Sequence, residues 1–323
     1  MSAEAATAPE GALPLADAAT GQMEGFRERI PYWIMRTTEW LGMHLPRSPG
    51  LYVADRCYRL YFDMAPGKRE TVAGNLSRVL GHPPASPLVR SATRECFRLY
   101  GRYWYDTFAV RTMPSDEVTR RFRIDGKDHI DRAVADGRGM VIALPHMGNW
   151  DAAGHWLCMQ GYRMAAVAEE LKPRSVSDLF LRHRRALGMK IVPLVDPRKV
   201  GETLVRLLSE NYVITLVADR DLTGRGVEVE MFEAPRRLPA GPAYLSLATG
   251  SPLCAAAVFT TAQGWRCQIN PPLEIERSGS MRQDVAALTR LIAREFERFI
   301  AAAPPDWHMF QPAWEAPAAA ASQ

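Results

Sequence analysis

His146 and Asp151 bound the stretch His146-Met147-Gly148-Asn149-Trp150-Asp151, which follows the apolar run Val141 to Leu144 after Pro145. An imidazole held by a carboxylate can take a proton from an alcohol, and the carboxylate then stabilises the imidazolium that forms. The spacing sets a geometric demand. On one continuous helix, positions five apart lie roughly 140° apart around the axis and do not meet. They meet if His146 lies in a turn and Asp151 in the first turn of a following helix. Gly148 suits such a turn and Asn149 suits a helix N-cap. The helix start would also offer backbone N–H groups to an oxyanion. Taken alone, the same residues also fit a turn histidine and a capping acid.

The elements that must position this pair are legible from patterning. Residues 26 to 111 read as almost wholly helical, interrupted by Pro46, Pro49 and Pro66-Gly67. From about residue 122 short apolar runs alternate with amphipathic stretches. Strands are expected at Gly139–Leu144, Met164–Ala168, Lys190–Leu194, Tyr212–Ala218, Val227–Met231, Leu253–Phe259 and Trp265–Asn270. Helices are expected at Lys127–Asp136, Asn149–Gln160, Arg174–Leu187, Arg198–Ser209, Ala240–Thr249 and Met281–Ala302. This alternation predicts an α/β core, a central sheet with helices on both faces. The carboxyl ends of strands in such sheets are where ligands bind, and His146 falls at one. The closing segment Pro304 to Trp314 is expected to be coil that packs back through its aromatics.

The domain reading is a disordered lead over residues 1–24, one domain over 25–315 (helical over 25–111, α/β over 112–315), and a disordered tail over 316–323. The chain has 323 residues, 47% hydrophobic and 24% charged, with net charge +4. The lead carries Glu4, Glu10, Asp17 and Glu24 and no Lys or Arg, so the remainder is more basic than the whole. A positive body suits anionic lipid or the phosphates of a thioester co-substrate. The basic residues are scattered and match no nucleic-acid motif, so no nucleic-acid partner is expected. The five cysteines form no CxxC pair, which argues for reduced thiols and against a disulfide framework or a zinc site. No signal-peptide pattern opens the chain. No run of ~18 apolar residues suits a spanning helix. Between Phe26 and Met64, Trp33, Trp40, Tyr52, Tyr58 and Tyr61 alternate with Arg27, Arg36, Arg47, Arg56 and Arg59. That mixture suits a face lying on an anionic membrane, and it equally suits packing onto the core.

In this setting the His-x-x-x-x-Asp stretch resembles that of the lysophospholipid acyltransferase superfamily. An ordered series of segments narrows the resemblance to the bacterial lipid A lauroyltransferase-like branch. Lys68 to Leu76, Val167 to Pro173 and Phe180 to Met189 are similar to that branch. So are Ala218-Asp219-Arg220-Asp221-Leu222, Gly226 to Val229, and Pro239 to Ala243. Within the branch the chain looks most like the phosphatidylinositol mannoside acyltransferases of actinobacteria. Two segments depart from the branch pattern: Met231-Phe232-Glu233 replaces Phe-Phe-Gly, and the chain closes on Trp307 to Trp314 rather than an Arg-rich end.

The resemblance implies transfer of an acyl chain, palmitoyl in the nearest case, from acyl-CoA to a mannose hydroxyl. The acceptor is a mannosylated phosphatidylinositol at the cytoplasmic face of the membrane. Acyl-CoA is then a co-substrate, and no cofactor or metal is implied. His146 is the expected general base and Asp151 its orienting partner, with direct attack on the thioester. Arg184 is expected to bind a phosphate or headgroup oxygen, or else to lie on a solvated helix face. Glu169 is expected to contact a sugar hydroxyl, or else to be a strand-end surface acid. Asp219, Asp221 and Glu228 are candidates for a second acid near His146, and Asp219-Arg220 can instead be a structural ion pair. Other readings are a lipid A-type or lysophospholipid acceptor, or a lipid-binding protein without turnover.

Overall fold

The computed structural model describes residues 29–221 and 224–314. The expected lead and tail, and Phe26, Arg27 and Leu222, lie outside the described residues. In chain order the helical part comprises α1 (Ile30–His44), α2 (Arg47–Met64), α3 (Pro66–Leu80), α4 (Pro87–Ala109) and α5 (Ser115–Arg121). The core then runs β1 (Phe122–Asp125), α6 (Lys127–Ala135), β2 (Met140–Leu144), α7 (Trp150–Met159), β3 (Met164–Ala168), α8 (Arg174–Ala186), β4 (Lys190–Pro193), α9 (Pro197–Ser209) and β5 (Val213–Val217). It closes with β6 (Val227–Met231), β7 (Ala234–Leu238), α10 (Gly241–Thr249), β8 (Leu253–Thr260), β9 (Trp265–Ile269) and α11 (Met281–Ala302).

The main sheet has seven strands in the order β1-β9-β8-β2-β5-β3-β4. Strands β8, β2, β5, β3 and β4 run parallel to one another, and β9 runs antiparallel to β8 and carries β1 parallel beside it. Alternation sorts the strand residues to two faces. Val141 and Ala143 of β2 pack with α9, α10 and α11 on one side, and Ile142 and Leu144 with α6 and α7 on the other. The second face carries the amino-terminal helices, with α4 against α7. No helix among the described residues is long and apolar enough to cross a membrane.

The seven strands expected from patterning are present, with ends shifted by a residue at most. Two more exist. β1 is only four residues long and follows α5 without a break, so it offers almost no period to read. β7 contains Pro235 and two arginines, a composition that argues against a strand. It exists because it pairs antiparallel with β6 in a separate two-stranded ribbon. The turn between them has positive φ at both Phe232 (50°) and Glu233 (58°), as a two-residue hairpin of the primed type requires. Neither residue is glycine, so the turn is held from outside. The Phe232 N–H donates to Glu297 of α11, and the Phe232 ring packs edge-on to Trp314. The departure from Phe-Phe-Gly is thus absorbed without loss of the hairpin. Arg236, on the inward face of β7, is buried.

Candidate active site

β2 is fully buried and delivers His146 to its carboxyl end. The turn that follows is pinned by the carboxy-terminal segment. Met147 and Trp307 form an antiparallel bridge. The His308 N–H donates to the His146 carbonyl at 2.7 Å, and the Gly148 N–H donates to the Asp306 carbonyl at 3.1 Å. Gly148 has φ +55°, and a Cβ there would stand 2.1 Å from the Val258 carbonyl oxygen. Only glycine lets the turn pass so close to β8. Asn149 caps α7, accepting the Ala152 N–H at 2.8 Å, as its position in the motif predicts.

The carboxylate on His146 is Asp219, and the expectation that Asp151 orients the histidine is corrected here. Asp219 follows the end of β5, the neighbour of β2, and is fully buried. Its Oδ1 bonds His146 Nδ1, and its Oδ2 accepts the His146 N–H at 3.0 Å. Trp307 Nε1 donates to Oδ2 at 2.8 Å, and the Arg236 guanidinium donates to the Asp219 carbonyl. Burial by itself would raise this carboxyl. The charge and hydrogen bond of His146, the Trp307 indole and Arg236 outweigh it and hold Asp219 at about 2. An ionised carboxylate can only accept, so the nitrogen facing Asp219, Nδ1, carries a proton, and Nε2 is the nitrogen left to face a substrate.

Asp151 instead belongs to an ion pair. Arg184 Nε donates to Oδ1 at 2.6 Å and Nη2 to Oδ2 at 3.4 Å, while the Tyr103 hydroxyl donates to Oδ2 at 3.1 Å. Burial opposes ionisation of Asp151, but Arg184 and Tyr103 prevail and hold its carboxyl below the usual range. The pair ties α7 to α8. The physical reason for the reversal is that the turn aims His146 across to the next strand, whereas the first turn of α7 aims Asp151 at the helices packed on it. Arg184 is therefore no free phosphate ligand and no solvated face, although it lines the cavity below.

The remaining expected residues divide. Glu169 lines the cavity and lies 3.7 Å from Arg220, so the partner of Arg220 is Glu169 rather than Asp219. Asp221 also lines the cavity, and its Oδ2 accepts the Gly226 N–H at 2.6 Å. Glu228 does not reach the site. It is an exposed cross-strand partner of Arg237, 3.5 Å away, on the β6–β7 ribbon. Sequence reasoning missed Tyr103, Arg236, Trp307 and His308. The buried His308 ring is packed among Tyr100, Tyr103 and Trp150. Burial pushes it down to about 3, so it is neutral. The one available signal was the aromatic run that closes the chain.

His146 and Trp150 stand at the mouth of a cavity of about 930 Å³. An enclosed arm runs beneath α7 along the sheet, lined by Leu144, Trp156, Val258, Ile269 and Phe122, all buried. Cys158 is not part of this chemistry. Burial pushes its thiol up to about 11, and it packs from α7 against the core.

A buried acid on an imidazole beside a largely apolar cavity is an arrangement suited to acid–base chemistry on an apolar substrate. The family model for bacterial lipid A biosynthesis acyltransferases matches residues 26–316, and the chain belongs to that family. It is an O-acyltransferase. It is 43% identical over 254 residues to a phosphatidylinositol mannoside acyltransferase of Mycobacterium tuberculosis, covering 77% of this chain and 78% of the relative. It is 39% identical over 249 residues to the protein of the same name from Mycolicibacterium smegmatis, covering 77% and 80%.

Proposed function

We propose that the enzyme transfers a fatty acyl group, palmitoyl in the first instance, from acyl-CoA to a mannose hydroxyl of a phosphatidylinositol mannoside. The observation that carries the mechanism is the His146–Asp219 pair at the mouth of the apolar cavity. His146 Nε2 takes the proton of the acceptor hydroxyl as its oxygen attacks the thioester carbonyl. Asp219 stays ionised and stabilises the imidazolium. The tetrahedral intermediate collapses with cleavage of the C–S bond. The proton on His146 passes to the departing CoA sulfur. The acyl chain lies in the arm beneath α7, where apolar burial of roughly 0.8 kcal/mol per methylene favours a long chain. The N–H groups of Gly148 and Ala152 are engaged, so an oxyanion is assigned to the amides of Trp150 and Asp151 at the start of α7.

Glu169 and Arg220, paired at the cavity rim, are assigned to the acceptor headgroup. Acidic residues suit sugar hydroxyls, and arginine suits the phosphodiester. Ile30, Trp33, Ile34, Trp40, Tyr52 and Leu60 of α1 and α2 are exposed. With Arg56 stacked on Tyr52 they suit a peripheral face on the cytoplasmic leaflet. The testing experiment follows labelled palmitate from its CoA thioester to purified phosphatidylinositol mannoside. Wild type should transfer it, and His146→Ala should not while keeping its thermal unfolding profile. Turnover by that variant at the wild-type rate would end the mechanism. Lipid A precursor and lysophospholipid in the same panel test the acceptor.

A further inference from the structure

The apolar lining of the cavity falls into two groups on opposite faces of the sheet, so the cavity has a second arm beside the one beneath α7. The residues of the first arm pack with α7, whereas Val167 and Leu216 pack with α9 and α10. Those two residues line this group from the sheet, and Val200 and Val205 of α9 and Tyr244 and Leu245 of α10 line it from the helices. Both arms belong to the one cavity that His146 lines. They differ in enclosure. The walls of the first arm are buried, while Val205 is 38% and Tyr244 49% exposed, so the second arm opens along the surface.

We infer that the arm between α9 and α10 holds one hydrocarbon chain of the lipid acceptor while the arm beneath α7 holds the donated chain. This rests on the acceptor reading above. A transfer between two lipids brings two hydrocarbon regions to one reacting carbon, and two arms meeting at His146 match that need. An enclosed arm suits a single chain withdrawn whole from its carrier. An open arm suits a lipid whose other chain stays in the bilayer. The pantetheine of CoA carries two amides and would leave them unpaired against Val200, Leu204 and Leu245. Arg198 and Arg220 line the cavity and match an anionic phosphodiester. The arm is also open at its walls. A Cβ on Gly201 of α9 or Gly241 of α10, both cavity residues, would meet nothing within 4 Å.

Gly201→Trp therefore places an indole on the lining of the arm without a clash at its Cβ. The experiment uses the full chain, palmitoyl-CoA and two soluble acceptors: phosphatidylinositol mannoside with two octanoyl tails, held below its micelle concentration, and the deacylated form. Wild type should favour the tailed acceptor in KM by at least about tenfold, the order expected for burying a few methylenes. Gly201→Trp should abolish that preference, with the KM for palmitoyl-CoA within about twofold of wild type. Val205→Trp should do the same if Gly201→Trp does not fold. A preference that survives substitution, a wild type with no preference, or a raised KM for palmitoyl-CoA overturns the inference while leaving the acceptor reading intact. A wild type that acylates neither form ends the acceptor reading and this inference together.

Discussion

His146 and Asp219 are partners in a ladder that has already ended. Along β2 and β5 every Cα pair, from Met140↔Val213 to Leu144↔Val217, is offset by the separation of 73 that divides His146 from Asp219. The Ala218 N–H still donates to the Leu144 carbonyl at 2.9 Å, and one step further the side chains take over from the backbone. Sheet register, which is fixed by burying alternate residues on each face, thus sets the geometry of this pair. Trp307 and Arg236 then fix the acid from below.

Replacing the acid should disable the base without removing it. In Asp219→Asn the amide oxygen can still accept from Nδ1, but the imidazolium loses its countercharge. The acyl-transfer rate should fall about 10²- to 10⁴-fold, read from initial rates at saturating donor. A loss of under tenfold would show that Asp219 is not the partner in turnover. Because the folded carboxyl sits at about 2, below its ordinary value of 3.8, its stabilising contribution is complete above about pH 4 and is lost as pH falls through about 2.

Asp151 should act through stability. Asp151→Ala leaves the Arg184 charge largely buried and unpaired, at a cost of about 3 kcal/mol in urea unfolding. Arg184→Ala strands Asp151 in the same way. The double variant should lose at least about 1 kcal/mol less than the two single losses combined. Strict additivity would show that the pair is not coupled.

Stability should carry the signature of Asp306. Burial raises this carboxyl to about 6, its Oδ1 has no partner, and its Oδ2 accepts the Thr260 N–H. An acid whose folded value is raised holds its proton more tightly when folded. Stability is therefore lost as pH rises from about 4 through about 6, and the penalty stays constant above that. Asp306→Asn should be more stable than wild type by about 1–3 kcal/mol at pH 8, with the gain gone at pH 4. His308, held down at about 3, works in the opposite direction but equally in both proteins. The difference between their urea midpoints isolates Asp306, and a gain equal at both pH values would refute its raised value.

The arm beneath α7 should discriminate chain length. Ala256 of β8 is buried and lines the cavity. Ala256→Phe adds a ring at a cavity-lining position, and the melting temperature should fall by only a few degrees. Transfer from palmitoyl-CoA should drop by at least about tenfold, while transfer from butyryl-CoA persists. Equal losses with both donors would place the acyl chain elsewhere.

Gly148→Ala should destroy the turn. The residue has positive φ and no room against Val258, so even a methyl group must displace β8 or the turn. Activity should be lost at temperatures where the protein remains folded by circular dichroism. Retained activity would mean that the turn can be rebuilt.

Much was legible in sequence because it is local. Short apolar runs marked β2, β3 and β5, and the turn and cap chemistry of Gly148 and Asn149 placed His146 at a strand end. Both depend on neighbours a few residues away. What the histidine faces was not local. Spacing made Asp151 its natural partner, yet the ordered series around Asp219 held the right acid among three that sequence could not rank. β7 was hidden for a related reason, since Pro235 and two arginines form a strand only with β6 to pair and α11 to hold the turn.

By itself the sequence determined an α/β core with a histidine at the carboxyl end of β2, because apolar patterning and turn propensity are written residue by residue. Tertiary structure decided that Asp219 holds the base, that Asp151 binds Arg184, and that the cavity has two arms. Those depend on strand order, register and which helix covers which face, and such relations join residues whose separation along the chain carries no signal of their contact.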